Sequence, residues 1–249
     1  MSTINHSETH PTSLISRLSN AAQITLELAV LLSVPLCLAA LMYFEVQQRA
    51  FALLLMVATV LLFFYASYEK SRPSLRQIMP TLTLAALAAA GRILFAPIPD
   101  FKPVSAIAII AGATLGRRNG FMVGSLAAFT SNFFFGQGPW TPWQMYAWGI
   151  VGYTGGLLCE VGFLSTDKPT KLWKLIGLGF FSAGLYGLIL NTYQVIGFVV
   201  PFNWAAALAS MAAALPFDAM HGIATAVFLC LLFVPWSRRI HRVVIKYDL

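Results

Sequence analysis

The sequence predicts an all-α membrane protein: a six-helix bundle preceded by two additional transmembrane helices. Three observations carry this expectation. The chain is 58% hydrophobic and only 10% charged, with a mean hydropathy of +0.75, whereas a soluble domain carries about 25% charged residues. It divides into successive apolar runs, most of them near the ~20 residues that a span requires. Its basic residues also alternate between the connections in a regular way.

Taken in order, residues 1–23 read as a polar cytoplasmic tail without the apolar core of a cleavable signal. His6 and His10 within it read as solvated rather than metal-binding. The spans are expected at 24–44 and 51–68, the additional pair, and then at 78–95, 103–116, 119–135, 141–163 and 174–199. A last region, 203–236, is too long for one span. It is split at Leu215-Pro216, because proline suits a first helical turn, giving a surface lead-in over 203–214 and a span over 216–236. The substrate-binding domain is then 78–240, followed by a cytoplasmic tail, 241–249. With the N-terminus cytoplasmic, Arg17, Lys70, Arg72, Arg76, Arg117, Arg118, Lys168, Lys171, Lys174, Arg238, Arg239, Arg242 and Lys246 fall inside. Only Arg49 and Lys102 fall outside, as the positive-inside rule requires. The net charge of +7 therefore reflects topology, and nucleic acid is not an expected partner.

Small residues at four-residue spacing let helices approach closely in lipid. They occur at Gly116, Gly120, Gly124 and Ala128, at Gly152 and Gly156, at Gly179, Ala183 and Gly187, and at Ala85/Ala89 and Ala86/Ala90. Such patterns usually serve packing within one chain. Cys37, Cys159 and Cys230 are far apart and read as small hydrophobes.

Polar groups are costly in a membrane and tend to face a cavity or the bundle interior. Arg92, Asn132, Gln144, Asn191, Gln194, Asp218 and His221 all fall toward the outer ends of their spans. Beside them lies FGQGPWTPWQ (135–144), with Gln137, Trp140 and Trp143. The arrangement suits an outward-opening pocket closed below, in contrast to a pore lined throughout or a midplane ion relay. These residues also have ordinary structural readings. Trp148 and Trp204, each taken alone, suit an aromatic belt. Asp218 is placed near a helix N-terminus, with His221 on the same face at i, i+3. Arg92 has Asp100 and Asp218 as candidate counter-charges, and Glu27 reads as a buried, hydrogen-bonded carboxyl.

The chain contains no phosphate-binding Gly-Lys signature, zinc-protease pair or nucleophile elbow, so neither ATP hydrolysis nor other catalysis is expected of it. No cofactor or metal is expected. GRILFAPIPDFKPVSAIAIIAGATLG (91–116), RRNGFMVGSLAAFTSNFFFGQGPWTPWQMYAWG (117–149) and LPFDAMHGIATAVF (215–228) resemble the substrate-binding S component of energy-coupling factor (ECF) vitamin transporters. The likeness covers roughly 78–240, with FGQGPWTPWQM its most specific string, closest to cobalamin-type members.

The resemblance implies a six-helix membrane protein that binds a vitamin from outside and docks with a scaffold membrane subunit and two ATPases. It also implies a partner-facing role for Ala85, Ala86, Ala89 and Ala90. The first two spans are additional to that family's core. The expected function is therefore substrate capture for an ATP-driven importer in a cell membrane. Trp140 and Trp143 would stack on the ligand, Arg92, Asn132 and Gln144 would hydrogen bond it, and Asp218 and His221 would set local charge. Two rivals fit the same residues: a membrane enzyme acting on a lipid or isoprenoid, with Asp218 and His221 as acid and base, and a stand-alone ion-coupled transporter.

Overall fold

In the computed structural model, which describes residues 19–44, 46, 48–71, 73–166 and 170–247, every regular element is a helix. They are α1 (Asn20–Tyr43), α2 (Arg49–Lys70), α3 (Leu75–Leu94), α4 (Val104–Leu115), α5 (Arg117–Phe135), α6 (Trp140–Glu160), α7 (Leu172–Phe198) and α8 (Trp204–Tyr247). Five of them, α1, α2, α3, α7 and α8, are long and apolar enough to cross a membrane, consistent with a membrane protein. The expectations for residues 1–18, and for Arg72 and Lys168, lie outside the described residues.

Local chemistry sets several boundaries. Ser19 caps α1 by accepting from the Ala22 amide. Ser74 and Gln77 form a reciprocal capping box at the start of α3. The α4–α5 connection is one residue, Gly116, at φ 94°, a conformation that favours glycine.

The structure corrects the reading of the last region: α8 is a single 44-residue helix, about 66 Å long. Pro216 lies inside it and does not start a new helix. The alanines at 205–207 and 212–214 are strong helix formers on its N-terminal side, and proline is tolerated inside apolar helices. The helix also continues through the expected 241–249 tail as far as Tyr247.

The apolar core has three parts. α1 and α2 lie against α5 and α6 through Leu31, Val34, Leu53, Val57, Phe64, Phe121, Trp143 and Tyr153. Within this part, Phe64 stacks on Phe121 at 4.0 Å, and the Tyr146 hydroxyl donates to the Leu31 carbonyl at 2.6 Å. A second part joins α3, α4, α5 and α6 around Leu84, Ile107, Val123 and Trp148. The third joins α4, α7 and α8 around Ile109, Ile110, Leu178 and Leu229. α4 is buried from Val104 to Ala113; its 12 residues span about 18 Å, less than a bilayer core.

Glycines set the tightest packing. A Cβ on Gly120 or on Gly152 would run into the other's carbonyl, and one on Gly112 would meet the Gly152 carbonyl as well. The small-residue faces of α4, α5 and α6 thus meet one another, while Gly179 of α7 lies against Ala226 of α8. In lipid, dispersion at such contacts replaces the hydrophobic drive between helices.

Candidate functional site

The last turn of α3, the end of α5 and the start of α6 meet beside the connections 95–103 and 136–139, and their polar side chains join. Arg92 is buried at 9% exposure, and its Nη1 donates to Ser131 Oγ and Asn132 Oδ1, both at 2.6 Å. The guanidinium lies 4.5 Å from the ring centre of Phe135 and 4.9 Å from that of Trp148. Asn132 is fully buried, and its Nδ2 donates to Thr141 Oγ1 at 3.0 Å and Gln144 Oε1 at 2.8 Å. Thr141 donates to Gln137 Oε1 at 2.9 Å, and Gln137 Nε2 donates to the Phe129 carbonyl at 2.9 Å. The turn through Gly136 is thereby sewn to α5.

A second chain of contacts adjoins the first. Trp148 Nε1 donates to Ser105 Oγ at 3.1 Å, and Ser105 Oγ lies 2.7 Å from His221 Nε2. The Tyr186 ring packs at 4.7 Å from both the Trp148 and the His221 rings. Asn191 Nδ2 donates to Asp218 Oδ2 at 2.9 Å, and the carboxylate lies where a Cβ on Gly187 would stand.

From the α3–α4 connection, Asp100 and Lys102 complete the layer. Burial raises the Asp100 carboxyl above its ordinary value, opposed by Lys102, reinforced by Asp218 and opposed again by Arg92. Burial also lowers Lys102, with Asp100 opposing and Arg92 reinforcing. Lys102 Nζ donates to the Phe95 carbonyl at 2.6 Å and to that of Ile98, closing the end of α3.

Arg92, Asn132, Gln137, Gln144, Asn191, Asp218 and His221 therefore share one layer, while other expectations need correction. Trp143 is buried at 3% on the opposite side of α6, beside Tyr193 at 5.6 Å, in a groove of about 450 Å³ between α1, α6 and α7. Five residues along a helix turn a side chain through about 140°, so Trp143 and Trp148 face different ways. Trp140 is 38% exposed and covers Gly138. Gln194 is exposed on α7.

Asp218 lies fourteen residues into α8, too deep for the helix-terminus interaction. It and His221 turn to different partners and form no acid–base pair. Arg92 bonds neutral acceptors in place of Asp100 or Asp218. Trp148 is a 4% exposed core residue, not a belt residue. Ala85 and Ala89 are buried against the bundle and cannot meet a partner chain, whereas Ala86 and Ala90 are exposed. Ser105, Ser131, Thr141, Tyr186, Asp100 and Lys102 were not foreseen as members. The i, i+3, i+7 spacing of Thr141, Gln144 and Trp148 is the sequence signal for one shared face of α6.

The other end of the bundle is also polar. Glu27, 2% exposed on α1, accepts from Arg117 Nε at 2.7 Å, from Arg118 Nε, and from the Tyr153 hydroxyl at 3.0 Å. Arg117 Nη1 pairs with Glu160 at 2.6 Å. Glu27 is thus the buried, hydrogen-bonded carboxyl that its position suggested, and it ties α1 to α5 and α6. Among the described residues, no cluster of ligating side chains suits a metal ion.

Residues 72–242 match the family described as "Family of unknown function (DUF6580)", and the chain belongs to that family. No curated protein and no solved structure matches the chain.

Proposed function

We propose that this DUF6580 protein is the substrate-capture subunit of an ATP-driven ECF-type importer, binding a vitamin or related micronutrient from the external side. The observation that supports it best is the continuous polar layer contributed by α3 to α8 at one end of the bundle, where hydroxyls, amides and mixed charges meet. Two cations, Arg92 and Lys102, are balanced there by two carboxylates, Asp100 and Asp218. That balance suits a polar ligand of low net charge better than a bare ion. Asn132, Gln144 and Asn191 supply hydrogen-bonding groups, and Trp140 at the rim offers a stacking face worth about 1 kcal/mol. The ligand displaces part of the internal network and takes over its bonds, while connections 95–103 and 136–139 close over it.

The Glu27–Arg117–Glu160 cluster holds the opposite end shut while the ligand is bound. Delivery then depends on a scaffold subunit and ATPases on other chains, with Ala86 and Ala90 on the face available to the scaffold. The enzyme reading is weaker, because Asp218 and His221 do not act on one another.

Native mass spectrometry of the full chain with a panel of vitamins, cobalamin among them, tests the proposal. One ligand per chain with sub-micromolar affinity is expected, weakened at least tenfold in Asn132→Ala. Absence of any saturable ligand overturns it, as does uptake that continues in cells without an energising module.

A further inference from the structure

At the end of the bundle opposite the polar layer, a groove of about 470 Å³ runs between the first turns of α3 and the last turns of α8. Its floor is apolar, with Met79, Leu84, Ile240 and Val243, and its other lining includes Arg76 and Arg239. Both arginines are exposed, and among the described residues neither forms an ion pair or a hydrogen bond. Arg117 and Arg118 at the same end are held by Glu27.

An exposed arginine is ordinarily just solvated. Here the two cations share a groove whose remaining lining is hydrocarbon except for Thr83, on two helices apolar enough to cross a membrane. Arg76 also lies in the first turn of α3, where the helix dipole favours an anion. Such a surface complements an amphiphile with one negative end. A free anion would leave the apolar floor uncovered, and an apolar chain alone would leave both charges unanswered. We propose that this groove binds one anionic phospholipid of the surrounding bilayer, with its phosphate between Arg76 and Arg239 and an acyl chain along Leu84, Ile240 and Val243. The site orients α3 against α8 within one leaflet, and it does not rest on the importer reading.

The test is a native mass-spectrometric titration of the purified full chain, in neutral detergent, with phosphatidylglycerol and separately with phosphatidylcholine. Phosphatidylglycerol is expected to bind at least tenfold more tightly. Arg76→Gln and Arg239→Gln each weaken it about fivefold, and together about thirtyfold, as expected for two arginines at a lipid headgroup. Arg242→Gln changes an exposed arginine of α8 outside the groove and shifts binding less than twofold. Thr83→Trp, at an exposed groove position, weakens the lipid with both arginines in place. Equal binding of the two lipids overturns the proposal, as does full retention by the double arginine variant. Displacement of phosphatidylglycerol by millimolar inorganic phosphate also overturns it, assigning the arginines to a free anion.

Discussion

Arg92 and Arg117 are equally buried, at 9% and 8% exposure, but are neutralised in opposite ways. Arg117, at the start of α5, bonds two carboxylates, Glu27 and Glu160. Arg92 meets the far end of that helix, about 22 Å away, and bonds a hydroxyl and an amide beneath two aromatic rings. A buried ion pair is costly to break from one side, because the remaining charge is stranded. A cation held by neutral dipoles can exchange them for a ligand's oxygens at smaller cost. The difference separates a fastening from a place where contacts can be traded.

The sharpest way to break this comparison is Glu27→Gln, which removes one of Arg117's two carboxylates and the one paired with Arg118. A loss of about 3–5 kcal/mol is expected, read as a fall in thermal unfolding temperature together with earlier proteolysis of α1. Gly152→Ala comes next. Its methyl would meet the Gly120 carbonyl, for an overpacking loss of about 2 kcal/mol. Gly184→Ala, with open space at that position, should lose nothing in the same melt.

Arg92→Gln is expected to cost about 1–2 kcal/mol, by leaving Asn132 and Ser131 partly unsatisfied. Under the capture proposal it nevertheless reduces ligand affinity at least tenfold in the mass-spectrometric titration. If Arg92→Gln destabilised the protein more than Glu27→Gln did, the distinction between the two ends would fail.

The smallest effect belongs to Asp100→Asn. The folded protein raises the Asp100 carboxyl above 3.8, so the protonated form is favoured on folding. That contribution is fully present below the unfolded value and is lost as pH rises through the folded one. At neutral pH the ionised carboxylate therefore opposes folding. Asparagine, which tolerates the positive φ of 49° at this position, should give a slight rise in melting temperature at pH 7. The advantage should close as the pH falls toward 3.8, measured by parallel melts.

The order and approximate extent of most helices were legible because each is an apolar run bounded by polar, glycine or proline residues. The break expected at Leu215-Pro216 failed for a local reason: one missing amide does not outweigh alanine-rich helix on its N-terminal side. The site was legible as a depth but not as a set of partners. Arg92, Asn132 and Gln144 could be ranked by distance along their helices, whereas the facing of Trp143 depended on rotation about α6. Helical spacing would have separated Trp143 from Trp148, but it could not have brought Ser105 to His221, 116 positions away. The Glu27 cluster was hidden because its arginines read equally well as cytoplasmic topology signals.

The unbroken run of α8 makes it a lever. His221 and Arg239 are separated by eighteen residues of one helix, about 27 Å of axis. A tilt of about 10° about the His221 contact would sweep the Arg239 end through about 5 Å over that length. The helix runs on through Pro235, the one point in that stretch where a backbone hydrogen bond is missing. A small rearrangement of the aromatic and hydroxyl contacts at His221 is therefore carried to the far surface to the extent that the turn at Pro235 stays straight.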